Sequence, residues 1–398
     1  MACISLGKID KSLIVILVGC VICFLNRLLN KVEFGKILFE NLVLINICMA
    51  LSRFLTIIPF IILVIRSRRK NKKLEIELPT ISKSFEYYDK VKEAKKGKWI
   101  YILLSGFIFL ILSICLTRSF KIKTNAWIWY ILFASIFYYL IFKVRLYRHH
   151  YLSIVLIILL GLAIDLSTQN LQTEIVGDPI NLVLKFVKQI LFSLYNVIAK
   201  YVMEKKHVSV YEFSFYVGLF NLVVFLIFSI FDYYFLKWTP FKEYFNNFNY
   251  KHLLIALGVI FSQLGINITS LFAAKYNSPC HVFIIFVFGQ IAYYIDFSGL
   301  FPLVVVLLII ILFLSLIFNE IIEINFCKLS YNTKRNISKR AEVDTLLKND
   351  NSSETDIKSK NENDNQSEDN KEKSEKDENS IKEMDKVIIE DENYYFRI

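Results

Sequence analysis

The chain has 398 residues, 55% of them hydrophobic and 15% aromatic, and a mean hydropathy of +0.46. So apolar a mean excludes a soluble enzyme, a secreted disulfide scaffold and a wholly disordered chain. The net charge of +11 hides a division: residues 341–398 hold 18 acids against nine bases, and the rest hold 38 bases against 18 acids. Those bases flank apolar runs, which is how membrane proteins set their orientation, so the basic balance does not point to nucleic acid.

A hydrocarbon core of roughly 30 Å takes about 20 residues of helix. In chain order the qualifying runs are 12–26, 38–65, 99–117, 126–143, 150–167, 181–203, 212–236, 252–274, 279–296 and 300–319. They are continuous rather than alternating, which excludes a β-barrel. The first follows Lys8 and Lys11 and ends Phe24-Leu25-Asn26-Arg27, without the small residues of a signal-peptidase site. It is read as a retained span. Cys20 and Cys23 lie inside it and are read as packed small residues; the seven cysteines show no metal or disulfide spacing.

The second run carries Arg53 near its middle, on one helical face with Asn46 and Thr56. A charge at that depth costs roughly 2.5–3.5 kcal/mol on insertion scales, so it is expected to face a cavity or a partner. The basic 66–98 loop that follows, with Glu86, Asp89 and Glu93 among its lysines, reads as a surface helix near anionic lipid or as a solvated linker. His149-His150 opens the fifth run and is read as part of a basic flank.

The sixth run places Lys185, Gln189, Asn196 and Lys200 on one stripe, bordered by Lys188. Lys185 and Lys188 are also near enough to the edge to snorkel. The eighth clusters Ser262, Gln263, Asn267 and Ser270, and the ninth holds Gln290. Asn221 and Asn267 read as hydrogen-bonding glue between helices. The candidate substrate-binding set is therefore Arg53, Asn46, Lys185, Gln189, Asn196, Gln263 and Gln290. No catalytic residue, metal ligand or cofactor is implied. The tenth run, with Ser315 its one polar residue between Leu303 and Phe318, is expected to face lipid or another subunit. Residues 330–398 are too polar to offset their chain entropy and read as a disordered acidic tail. Its last four residues, Tyr395 to Ile398, have the form of an endocytic sorting signal, a pattern that also arises by chance.

With the N-terminus in the cytosol, the loops and ends on that side hold 26 bases and the opposite side nine. Ten spans with both termini cytosolic is the economical solution. The chain also repeats itself. Cys23 to Lys31 at the end of the first span parallels Val197 to Lys205 at the end of the sixth. The approach and tyrosine pair of the fourth, Thr124-Asn125 to Tyr138-Tyr139, parallel those of the ninth, Asn277-Ser278-Pro279 to Tyr293-Tyr294. The halves 1–167 and 168–329 read as five-span repeats. Five is odd, so the second enters from the opposite side, an architecture of secondary transporters.

Two stretches carry a resemblance. Phe142 to Gly161 is similar to the basic turn and glycine-ending fifth span of nucleotide-sugar and EamA-type carriers. Leu191 to Glu204, followed by Lys205 and Lys206, is similar to the span that opens their second half. The chain thus resembles the drug/metabolite transporter superfamily, with a remnant of one nucleotide-sugar carrier motif at Ala274-Lys275-Tyr276. The resemblance implies an all-α carrier of two inverted five-helix repeats. Its cargo would be a nucleotide-linked or phosphorylated metabolite, bound between the halves and moved by alternating access. It also implies that spans 5 and 10 lie peripherally and pair in homodimers. The expected partners are the bilayer and a small anionic substrate, in an endomembrane (Golgi or ER) or the plasma membrane. Two other classes compete: a non-transporting receptor or scaffold with an interaction tail, and a membrane-embedded lipid-modifying enzyme. The five histidines form no histidine boxes, and neither H-E-x-x-H nor a phosphate loop is present, so the chain is read as not an enzyme.

Overall fold

A computed structural model of the chain describes residues 4–6, 11–29, 42–66, 96–118, 126–144, 146–169, 179–236, 250–294 and 301–324. The chain divides into two units, Met1–Asn332 and Thr333–Ile398, and every described residue belongs to the first. The expected tail and nearly all of the basic 66–98 loop lie outside the described residues.

Each of the ten apolar runs carries a helix. They are α1 (Lys11–Leu29), α2 (Leu42–Phe54), α3 (Lys98–Arg118), α4 (Trp129–Phe142), α5 (Arg148–Gln169), α6 (Pro179–Lys205), α7 (Val210–Phe231), α8 (Tyr250–Tyr276), α9 (Val282–Tyr294) and α10 (Phe301–Phe318). Five stretches are long and apolar enough to cross a membrane: Val43–Arg66, Lys98–Cys115, Arg148–Ser167, Val210–Tyr234 and Tyr250–Tyr276. Four shorter apolar helices accompany them: Leu13–Leu29, Trp129–Phe142, Pro279–Ile291 and Leu303–Phe318. The remaining one, α6, has 27 residues, but its lysines lower its hydropathy. Among the described residues the one sheet is a short antiparallel pairing of β1 (Ile4–Leu6) with β2 (Ile322–Ile324), Ile4 opposite Ile324. Alternation within three residues leaves no legible trace, and the sequence reading missed both strands.

The second run was the longest, and its helix is broken. After α2 a turn at 55–56 intervenes before the chain is helical again over 57–66. Pro59 supplies the reason: it has no N–H for the Leu55 carbonyl and its ring crowds that carbonyl. Thr56 bridges the break, its hydroxyl donating to Arg53 O at 2.6 Å and Tyr211 O at 3.2 Å. The start of α7 is capped conventionally, Ser209 Oγ accepting from Glu212 N–H at 3.0 Å. Lys98 then ties that Glu212 to the start of α3 at 2.7 Å.

The bundle turns apolar residues outward and polar ones inward. Leu17 and Val21 on α1, Val155 and Leu159 on α5 and Ile227 and Ile230 on α7 are exposed, whereas Asn46, Arg53, Lys185, Asn196, Lys200 and Asn221 are buried. That is the reverse of a fold surrounded by water, and it suits a hydrocarbon solvent. The expectation for the tenth run holds on one side of the helix: Leu303, Val306 and Ile309 are exposed, while Val304, Leu308 and Ile311 pack inward.

The principal helix pairs are α1 with α8 and α9, α6 with α3 and α4, α2 with α7, α5 with α10, α3 with α7, α9 with α10, and α2 with α8. Small residues allow the close pairs. At Gly19 an added Cβ would lie 2.8 Å from Ile285 Cδ1 on α9 and from Thr269 Oγ1 on α8, so α1 meets both neighbours there.

Candidate functional site

Arg53 ends the first segment of α2, just before the Pro59 break, and is 3% exposed. One of its terminal nitrogens, Nη1, donates to the Tyr195 hydroxyl on α6, and Nη2 donates to Asn267 Oδ1 on α8 at 2.9 Å. The Phe109 ring of α3 covers the guanidinium, 3.6 Å from its carbon to the ring centroid. Asn267 is fixed in its turn, since its Nδ2 donates to Ser52 Oγ at 3.3 Å, and Ser52 donates to Met49 O at 2.8 Å. The backbone of α7 presses against this point: a Cβ on Gly218 would lie 2.6 Å from Arg53 Cβ and from Phe54 N. Five helices thus converge on one cation. Two come from residues 1–167 and three from 168–329.

All of these partners are neutral. Among the described residues no carboxylate reaches Arg53, and its Nε is buried without an acceptor. Neutral acceptors orient a guanidinium but do not neutralise it, and a buried charge without a counter-charge costs several kcal/mol. The unused Nε and its neighbouring Nη edge form the fork that takes carboxylate or phosphate oxygens in pairs.

The other candidate residues spread along the bundle. Asn46 is buried two turns before Arg53 on α2. Lys185, Gln189 and Asn196 are buried as their stripe requires, and Asn196 Nδ2 donates to Phe192 O at 2.9 Å within its own helix. Lys185 interacts electrostatically with Asp165 of α5, and Lys188 with Arg27 of α1 and with Lys185. Lys188 lies seven residues from Tyr195, or about 10 Å along α6, so this basic group is a separate station from Arg53. Gln263 is half-buried one turn before Asn267 on α8, and Gln290 is half-buried on α9 beside Gly289, which packs on Cys23 of α1.

Lys200 belongs to the stripe but is committed elsewhere. Its Nζ donates to Glu204 and to the carbonyls of Lys275 at 3.0 Å and Asn277 at 3.1 Å. Those carbonyls lie at and just beyond the end of α8, so Lys200 caps that helix. Asn221 and Asn267 both bridge helices. Asn221 Nδ2 donates to Gly106 O on α3 at 3.3 Å, but Asn267 is also an Arg53 ligand.

Sequence reasoning missed Tyr195 and Phe109, two aromatics among 61, and Asp165, hidden in a run read as plain. Spacing cannot find them, because their partners are on other helices. It also left His149 and His150 in a basic flank, whereas the structure brings both to Glu320, just past α10.

Long apolar helices, an apolar exterior and ionisable groups inside define an α-helical membrane protein. No protein family and no curated protein matches the sequence.

Proposed function

We propose that the chain is a secondary transporter for a small anionic metabolite, with Arg53 as the anion-binding residue. The carrying observation is a buried guanidinium held only by neutral groups, with Nε unused, where helices of both halves meet. In this reading ten helices cross the bilayer as two inverted repeats of five, and the halves rock about the Arg53 level. Most of the helix pairs support the repeat. Exchanging each helix with the one five places along turns α1–α8 into α6–α3, α1–α9 into α6–α4 and α2–α8 into α7–α3, and leaves α2–α7 and α5–α10 unchanged; α9–α10 departs from it, its counterpart α4–α5 being a slight contact. The β1–β2 pairing supports an even number of crossings, because it brings the segment before α1 and the segment after α10 together. The α2 break beside Arg53 supports a discontinuous helix at the site.

The cargo class is a phosphorylated or nucleotide-linked metabolite. Asn46, Lys185, Gln189, Asn196, Gln263 and Gln290 line its path. Both termini face the cytosol, the membrane is an endomembrane or the plasma membrane, and the outward apolar faces of α5 and α10 meet lipid or a second copy.

The test is counterflow in proteoliposomes. Labelled phosphate esters and nucleotide-sugars are exchanged by the purified chain and by Arg53→Ala. Saturable exchange by the wild type, lost in the variant, is the expected result. A folded wild type that neither exchanges any of the panel nor is thermally stabilised by it sinks the reading.

A further inference from the structure

Glu320 stands where a helix end favours glycine. The close of α10 is a Schellman turn: Ile321 N–H donates to Leu316 O at 2.9 Å, and Glu320 N–H to Ile317 O at 3.0 Å. Glu320 between them takes a left-handed φ of +58°. Glycine adopts that conformation freely, whereas an L side chain is strained in it. Strain kept in place asks what the side chain does there.

The carboxylate reaches the start of α5. Its Oε1 is 3.2 Å from His149 Nε2 and 3.8 Å from His150 Nε2. One ligand atom from each of the three residues lies within 4.8 Å of the other two. Around a tetrahedral ion with bonds of roughly 2.0–2.1 Å, neighbouring donors stand about 3.4 Å apart. His149 is buried, and its Nδ1 has no hydrogen-bond partner. The Glu320 carboxylate only accepts, so their contact keeps the ring proton on Nε2, and the unpartnered Nδ1 takes that proton when Nε2 turns to a metal. His150 Nδ1 accepts from Tyr147 N–H at 3.0 Å, which keeps the proton of the neutral ring on Nε2. A metal ion on His150 Nε2 shifts that proton to Nδ1, which breaks the Tyr147 bond and leaves the ring neutral with its one proton. The His150 and Glu320 side chains are 13% and 20% exposed, which leaves an approach from solvent.

We propose that His149, His150 and Glu320 form a site for a borderline divalent transition metal, Zn²⁺ above all, with water as the fourth ligand. Two imidazoles and one carboxylate suit that ion. The ion fastens the start of α5 to the end of α10. The inference is independent of the cargo reading, since no residue is shared with the Arg53 site.

The test uses the full chain, purified without a histidine tag and stripped by a chelator. Zn²⁺ is titrated against a chromophoric competitor, and the Tm is recorded with and without the ion. One equivalent should bind and raise the Tm. Glu320→Gly puts the favoured residue at the turn, so its fold is kept, yet its Zn²⁺ affinity should fall at least tenfold and its Tm response should vanish. His149→Gln should lose the ion likewise. Co²⁺ should give the visible bands of a four-coordinate site in the wild type and not in Glu320→Gly. A plain hydrogen-bonded latch gives the other result. In that case the wild type holds no equivalent against the competitor, or Glu320→Gly binds as tightly as the wild type, and either outcome overturns the proposal.

Discussion

Arg53 and Lys200 are both 3% exposed on helices of one bundle, and they are held in opposite ways. Lys200 has a carboxylate, Glu204, and two carbonyls at the end of α8. Its charge is answered inside the protein, so its work is structural. Arg53 has a phenol, an amide and a phenyl face, and no described acid. Its charge is positioned rather than answered. Burial alone therefore does not separate a cation answered by a counter-charge from one held by neutral groups. The sign of the surrounding partners does.

The largest effect should come from Lys200→Ala, which breaks the comparison on its structural side. It strands Glu204 and two helix-end carbonyls. Truncating one partner of a buried pair costs about 3–5 kcal/mol, and the low end applies because the Glu204 side chain is 35% exposed and can rehydrate. The Tm of the detergent-solubilised chain should drop by several degrees. Anion binding per folded molecule should stay as it was; a selective loss of binding would make Lys200 a cargo residue.

Arg53→Ala should show the inverse pattern. Folded yield should hold or improve, because a charge leaves the apolar interior. Anion binding should weaken more than tenfold, as a charge-assisted hydrogen bond is worth on the order of 1.5–3 kcal/mol. Arg53→Lys should recover only part of it, since a point charge lacks the fork. Normal binding by a well-folded Ala variant would remove Arg53 from the site.

Gly218→Ala sharpens the geometry. Its new Cβ would fall on the Arg53 backbone and push α7 away from α2. Overpacking of this kind costs about 1–3 kcal/mol, so both the Tm and anion binding should fall together. A variant that loses neither would show that the α2–α7 contact yields easily. Asn221→Ala should do least, about 0.6 kcal/mol, the average for one interhelical hydrogen bond in a membrane protein, with anion affinity untouched in a binding titration.

Much of the scaffold was legible because the bilayer writes it in composition: each apolar run holds a helix. The α2 break was legible only in part. Pro59 was in view, but the length of the run drew it as one span. Arg53 stood out because a charge at that depth is expensive in hydrocarbon. The stripe of α6 was legible by period, and its members are buried. Their division of labour was not. Lys200 is defined by the carbonyls of residues 275 and 277, and a carbonyl leaves no mark in a sequence. Tyr195 and Glu320 were invisible for a related reason: each acts across 140 residues or more, on Arg53 and on His149 respectively.

The β1–β2 pairing bears on how the chain folds. Strand β1 precedes α1 and its partner β2 follows α10, so ten helices lie between the two edges. Until they meet, each is an edge with nothing to bond. The entropy of closing so long a loop rises only slowly with length, so the delay is a matter of time more than of stability. A packing of the ten helices that kept the two segments apart leaves both edges open, and those three-residue strands thus close only on a bundle that brings its flanking segments together.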